Sequence, residues 1–327
     1  MSLLVLKPGL LDTIQDRGRT GYAHLGIPMS GVMDPAALQL ANALVANAPL
    51  EAVLEMHFPA PALRFETDTV FALAGADFDA RAAGTPAPLN TPVIVRAGTE
   101  LVFQRPKSGA RCYLAVGGGF ALEPWLGSCS TDLAARAGGW QGRALQAGDR
   151  LPLRQAADYS AFLSGEGCRV MPWYIRPYRL HADSAGIRFL PGPEYGGLTE
   201  KSQQLLETAH WPIAPKSDRM GYRTSGPALA LNAPLEMVSA AVIPGTLQLL
   251  PDGHFVVLMA GCQTTGGYPR IGHIIGADLS KMAQLRTGNR FRLEIVDMET
   301  AVAAACSQEN WLWRTAYSAA LKWNTFV

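Results

Sequence analysis

Two stretches of the chain carry the residue types that could bind a small anionic amide: Ser217-Asp218-Arg219-Met220-Gly221-Tyr222-Arg223 and Gln263-Thr264-Thr265-Gly266-Gly267-Tyr268-Pro269-Arg270. Arg219, Arg223 and Arg270 each offer a rigid fork of N–H donors suited to a carboxylate or phosphoryl group. Gln263, Thr264, Thr265 and the phenols of Tyr222 and Tyr268 offer neutral donors for a carbonyl, and donors fixed around a carbonyl stabilise the oxyanion formed when it is attacked. Packed around Gly266-Gly267, the second stretch has little apolar surface to bury, so core packing does not explain it. The arginines have a second reading open to them. They could pair with Asp218, Asp278 or backbone carbonyls and pin long loops.

A further polar cluster runs from Gln15-Asp16-Arg17-Gly18-Arg19-Thr20-Gly21-Tyr22 through Pro28-Met29-Ser30-Gly31 to Asp34, with Arg17 and Arg19 as candidate substrate-binding residues and His24 beside them as an ordinary loop histidine. Asp16 to Tyr22 is loosely echoed by Asp218 to Tyr222, which suggests two related halves. Other chemistry is not indicated. Gly117-Gly118-Gly119 follows an expected strand and reads as a plain turn rather than an anion cradle. In Gly127-Ser128-Cys129-Ser130-Thr131-Asp132 neither Ser130 nor Cys129 has a basic neighbour to activate it, so a structural turn is expected. His24, His57, His181, His210, His254 and His273 show no ligand spacing, and no metal site is expected. A Walker A loop, a Gly-x-Ser-x-Gly elbow, His-Glu-x-x-His and a dinucleotide fingerprint are all missing.

The elements that must position these residues are mostly strands. Short runs rich in Val, Ile, Leu and Phe recur between Gly and Pro, and residues 62–66, 69–74, 92–96, 111–116, 186–190, 246–250 and 255–260 are expected to be strands. Ala97-Gly98-Thr99, Ala147-Gly148-Asp149 and Thr287-Gly288-Asn289 each read as a glycine turn opening into a strand, and so as hairpins. Helices are few. One starts at Asp34-Pro35, with Asp34 as cap, and stops before Asn47-Ala48-Pro49; a second covers 199–210. The Ala-rich tail from Met298 to about Lys322 sets Trp311, Trp313, Tyr317 and Leu321 at helical spacing and is expected to close over the barrels. The polar Ser164-Gly165-Glu166-Gly167 marks a domain boundary, dividing the chain into 1–166 and 167–327.

Composition narrows the class of partner. Against 27 Asp and Glu stand 28 Lys and Arg, a net charge of +1, so no basic field exists to draw in nucleic acid. Five scattered cysteines without a Cys-x-x-Cys pair suggest a reducing cytoplasm. Leu3-Leu4-Val5-Leu6 is too short for a signal-peptide core, and apolar runs fall short of the roughly 20 residues of a membrane span, so a cytoplasmic protein with no membrane partner is expected.

Several of these segments, in order, resemble the family of 5-oxoprolinase C subunits, also described as allophanate hydrolase subunit 2 or biotin-dependent carboxyltransferase proteins. The resemblance is carried by Gln15 to Asp34, Ala52-Val53-Leu54-Glu55, Tyr113 to Gly119, Gly127 to Leu133, Leu190-Pro191-Gly192-Pro193-Glu194-Tyr195, Arg219 to Arg223 and Gln263 to Ile271. It implies a mainly β fold of two cyclophilin-like β-barrel domains with a few peripheral helices. It also implies a heteromeric 5-oxoprolinase complex completed by the A and B subunits, of which the B type is kinase-inhibitor-like. The activity implied is that of an ATP-dependent lactam hydrolase that opens 5-oxoproline to glutamate, with ATP shared with the partner chains. In that reading Arg219, Arg270, Gln263, Thr264 and Thr265 act in catalysis, and Arg17, Arg19, Tyr222, Arg223 and Tyr268 bind substrate. Two segments depart from the family pattern: Ala240-Ala241 replaces a polar or acidic pair, and Gly261 stands where Asp or Asn is common. Two other activities occur in the family: a biotin-dependent carboxyltransferase of the urea carboxylase type, for which this chain has no Met-Lys-Met carrier segment, and a non-catalytic regulator that binds a kinase-inhibitor homologue.

Overall fold

Side chains that alternate across each strand build each unit in layers. The computed structural model describes residues 1–154, 159, 162–163, 167–176 and 186–326. The chain divides into two units, one formed by Met1–Arg19, Ser30–Tyr178 and Asn310–Val327, the other by Thr20–Met29 and Arg179–Glu309. Ser164, Gly165 and Glu166, on which the expected boundary rests, lie outside the described residues, as does His181.

The first unit has two six-stranded sheets. One runs Arg150–Pro152, Ser2–Lys7, Ala62–Phe65, Glu100–Phe103, Ala80–Ala82 and Thr85–Pro86; the other runs Cys168–Val170, Val93–Val95, Thr69–Asp77, Ser108–Val116, Val53–His57 and Thr13–Gln15. Leu3, Val5, Leu63 and Phe65 from the first meet Leu54, Phe71, Leu73, Leu114 and Val116 from the second in one core, with Phe65 stacked on Phe71 at 5.1 Å between centroids. Because side chains alternate across a strand, Val53, Val70, Ala72, Ala74, Tyr113 and Ala115 face the other way and cover helix α1, Pro35–Leu44. This second sheet is therefore buried on both faces, and truncating Phe71 to Ala should cost about 3–5 kcal/mol. Helix α1 starts as expected: the Asp34 carboxylate accepts from the Ala37 N–H at 3.0 Å, and Pro35 opens the first turn.

The second unit has a seven-stranded sheet, ordered Trp211–Pro212, Arg290–Ile295, Gly186–Pro191, Arg270–Ile274, Thr246–Leu249, Phe255–Leu258 and Gly221–Arg223. Its core face carries Phe189, Leu247, Leu249, Phe255, Val257 and Ile271, all buried, with Trp211 edge-on to Phe255 at 4.8 Å. Helix α2, Glu200–Thr208, is capped by Thr199, whose hydroxyl accepts from the Ser202 N–H, and its Leu206 carbonyl accepts from Trp211 Nε1 at 3.1 Å. A short helix α3, Leu279–Ala283, follows the sheet, and α4 spans Met298–Phe326. A separate two-stranded ribbon pairs Ala240–Ala241 with Thr265–Gly266.

The expected mainly β fold with few helices is present, and each expected strand lies on an observed one. Two local expectations need correction. The glycine turns do have a left-handed glycine, with Gly98, Gly148 and Gly288 at φ of 87°, 89° and 84°, but none closes a hairpin. Each opens a strand that pairs with a distant one: Glu100–Phe103 with Ala62–Phe65, Arg150–Pro152 with Ser2–Lys7, and Arg290–Ile295, in parallel, with Gly186–Pro191. At Gly98 the turn carries the chain from one sheet of the first unit to the other, because Val93–Val95 belongs to the second sheet. On α4 the buried positions are Ala301, Leu312, Thr315, Ala319 and Trp323, with the Trp323 indole donating to the Leu44 carbonyl at 2.9 Å, whereas Trp313, Tyr317 and Leu321 are exposed. Helical periodicity marked aromatic spacing correctly but could not tell which stripe meets a neighbour.

Candidate active site

The ladders of the second unit set four residues in one row. Arg223 lies opposite Val256, Val256 opposite Gln248, and Gln248 opposite Arg270. Residues opposite one another in an antiparallel pair share a face, and this one is opposite the face that carries Leu247, Leu249 and Val257. Over it lies the ribbon: a side chain at Gly266 would fall on the Gln248 amide nitrogen, so glycine is needed for that approach. Beside the row, Val242 and Cys262 pack with Val256 and Leu258. The segment leading into and out of the ribbon exposes Gln263, Thr265 and Tyr268 and half-buries Thr264.

The structure thus brings Arg223, Arg270 and the Gln263 to Tyr268 segment together, but with different standing. Arg270 is engaged twice over by one carboxylate: Nε donates to Glu194 Oε2 at 3.1 Å, Nη2 to Oε1 at 2.8 Å, and the Arg270 backbone N–H to Oε2 at 2.8 Å. That fork holds the Glu194 carboxyl below and the Arg270 guanidinium above their ordinary pKa ranges. The loop-pinning reading, with Glu194 as the partner rather than Asp218 or Asp278, describes Arg270. Asp278 is taken by Arg188, whose Nε and Nη2 donate to it at 3.0 and 2.8 Å. Arg223 is exposed on the row.

Arg219 and Tyr222 are both buried, and the Arg219 carbonyl accepts from the Gly261 N–H at 2.8 Å. Loss of solvent lowers the Arg219 guanidinium to about 10, so it stays charged at neutral pH. Tyr222 alternates with Gly221 and Arg223, is buried on the core side, and its hydroxyl lies 3.5 Å from the Ala283 carbonyl. Asp218 Oδ1 accepts from the Met220 N–H at 2.8 Å, closing the turn that starts the strand.

In the first unit the aspartate of the polar cluster is consumed by the loops around it, whereas Gln15 Oε1 and Arg19 Nε and Nη1 have no hydrogen-bond partner among the described residues. Asp16 accepts from the Gly18 N–H at 2.7 Å, from the Ser128 and Ser130 hydroxyls at 2.6 Å each, and from the Cys129 N–H at 2.6 Å. The Arg19 side chain is wholly buried: it donates to the Ser130 carbonyl, lies 4.0 Å from Asp132 and stacks over Trp125 at 4.6 Å. Burial lowers its pKa, which Asp132 and then Asp16 oppose. Arg17 is exposed. Ser128, Cys129 and Ser130 thus form the structural turn expected of them, and burial raises the Cys129 thiol's pKa. At the triple glycine the Gly118 N–H donates to Asn47 Oδ1 at 2.9 Å, and a side chain at Gly119 would strike Glu51, so the turn is backed by a carboxylate rather than open to an anion.

Two residues of this face escaped the sequence reading. Gln248 is 1% exposed, and its Nε2 has no hydrogen-bond partner among the described residues. His273, opposite Thr246, has its pKa lowered by burial, which keeps the imidazole neutral at neutral pH. A signal for Gln248 existed: in Thr246-Leu247-Gln248-Leu249 strict alternation sets Thr246 and Gln248 against the leucine face. Among the described residues no group of His, Cys, Asp and Glu could hold a metal ion, and no helix is long and apolar enough to cross a membrane.

Residues 25–295 match the family model of the carboxyltransferase domain, subdomain A and B, and the chain belongs to that family. Its solved relatives include the urea amidolyase of K. lactis, which superimposes with a TM-score of 0.84 at 25% identity over 96% of this chain and 20% of that one. More particularly, the chain is 37% identical over 315 residues to the 5-oxoprolinase C subunit of Escherichia coli, covering 96% of this chain and 98% of that protein. With the 5-oxoprolinase C subunit of Haemophilus influenzae the identity is 40% over 300 residues, 92% of this chain and 93% of the relative. A putative urea carboxylase of Emericella nidulans is 30% identical over 94% of this chain, which spans 25% of that protein.

Proposed function

We propose that this chain is the C subunit of a 5-oxoprolinase, acting with the A and B subunits to open the lactam of 5-oxoproline to glutamate at the expense of ATP. The observation that carries the proposal is identity along nearly the whole of both chains: the two relatives named as 5-oxoprolinase C subunits leave almost no unmatched segment on either side. The urea carboxylase relatives are far longer, and this chain spans only 25% of the first of them.

The sheet face described above has the donors such a substrate needs. Arg223 offers an unshielded cation for the carboxylate, and Gln263, Thr264, Thr265 and Tyr268 offer donors to the lactam oxygen as charge builds on it. Arg270, already paired with Glu194, fixes the end of this segment. Holding the lactam between these groups supplies orientation, which is the larger part of what a site without a nucleophile can contribute. ATP would supply phosphoryl activation of the lactam oxygen. The triple-glycine turn, with Glu51 against it, does not fit a triphosphate, and ATP is read as shared with the partner chains. The cysteines of the chain, all free thiols, suit a reducing cytoplasm.

Co-expression with the A and B subunits, followed by measurement of ADP and glutamate with and without 5-oxoproline, tests the proposal. Glutamate and ADP formed in step support it; a folded three-chain mixture that forms neither rejects it. The likeness to the urea amidolyase fold supports a second reading, carboxyl transfer from a biotin carrier to an amide. Carboxylation of urea by the chain with a biotinylated carrier, and no glutamate release, would favour it.

A further inference from the structure

We infer that Gln248 is a substrate-contacting residue of this face, donating its carboxamide N–H to the lactam carbonyl while Arg223 takes the carboxylate; the inference rests on the 5-oxoprolinase reading above. A buried donor without a partner lowers stability, whereas an apolar residue of the same shape at that position would not. Gln248 nevertheless stands on an interior strand of the sheet with its Nε2 unpartnered among the described residues. Its place is the middle of the row, between Val256 and Arg270. Arg270 is engaged by Glu194, so Gln248 is the buried donor on this row that has no partner among the described residues.

The geometry suits a small molecule with a carboxylate and an amide. Arg223 and Gln248 sit two strands apart, roughly 10 Å between backbones, a span that an arginine side chain and a five-membered ring together bridge. What separates Gln248 from solvent is the ribbon, whose strands are two residues each and which pairs with no strand of the seven-stranded sheet. So small a paired unit is marginal on its own and opens at low cost. Gly266, lying directly over the amide nitrogen, lets the ribbon seat when the site is empty and lift when it is filled. No new bond is required of Gln248: it donates one hydrogen bond and keeps its proton.

The test is Gln248→Met in the assembled three-chain enzyme, an unbranched replacement of similar length that removes the donor. The expected result is a melting temperature equal to or above the wild type together with a fall in kcat/KM for 5-oxoproline of about tenfold or more, the size of one lost hydrogen bond to a polarised carbonyl. Calorimetric titration with 5-oxoproline should show weaker binding in step. Gly266→Ala, which crowds the same nitrogen, should lower kcat/KM as well. A wild-type complex that releases no glutamate removes the 5-oxoprolinase reading and this inference with it. A working wild type whose Gln248→Met variant keeps its kcat/KM, or loses melting temperature and activity together, removes the inference alone.

Discussion

The Asp16 to Arg19 turn of the first unit and the Asp218 to Arg223 turn of the second begin alike and end in opposite chemistry. In both, an aspartate carboxylate accepts from the backbone N–H two residues on, Gly18 in one and Met220 in the other. The first aspartate also gathers Ser128, Cys129 and Ser130, and its arginine is sealed beneath Trp125. The second is exposed, and the strand it starts presents Arg223 to solvent on a row with Gln248 and Arg270. A polar motif is thus no evidence of a site until its donors are counted against its acceptors. The first cluster spends its aspartate on holding loops together and buries its arginine with Nε and Nη1 lacking a hydrogen-bond partner among the described residues, whereas the second leaves Arg223 exposed.

The largest expected effect strikes the first turn. Asp16→Ala removes the acceptor for Gly18, Ser128, Cys129 and Ser130 and should cost about 4 kcal/mol, seen as a lower denaturant midpoint, with turnover per folded complex kept. Unchanged stability would break the contrast. Near it, Asp12 is buried with one carboxylate oxygen unpartnered, and burial raises its pKa to about 7 from an ordinary 3.8. The folded state binds that proton more tightly, so its stabilising share is intact below the ordinary pKa and lost as pH rises toward 7. Asp12→Asn should therefore gain about 2–3 kcal/mol over the wild type at pH ~8 and almost nothing at pH ~4, by denaturant titration at both. His57, lowered by burial to about 4, gains stability across an overlapping range and is common to both proteins, so the difference isolates Asp12.

The second turn should respond in activity rather than stability. Arg223→Ala, on an exposed side chain, should change unfolding free energy by less than about 0.5 kcal/mol while lowering kcat/KM about 10- to 100-fold, mostly through KM. A full loss of fold would place Arg223 with Arg19 among the structural arginines. Smallest is Glu194→Gln, which unpairs the Arg270 fork and should cost about 1 kcal/mol, with a drop in kcat matching that of Arg270→Ala. If Arg270→Ala is much the more damaging to kcat, Arg270 acts on substrate as well as on Glu194.

By itself the sequence determined what depends on neighbours along the chain. Strand periodicity, the Asp34-Pro35 cap, the Thr199 helix and the left-handed glycines at 98, 148 and 288 follow from local sterics and local hydrogen bonds, and each is present. So is the gathering of polar groups in the Gln263 to Arg270 stretch, since little apolar surface there could be buried. Only the tertiary structure decided which groups are spent. Glu194 meets Arg270 across 76 residues and Ser130 meets Asp16 across 114, separations at which pairing is set by the register of distant strands. Likewise the face of α4 that is buried, and the burial of Gln248 beneath Gly266, depend on what packs against them. A residue's type says what it can donate, but the fold says what has already accepted it.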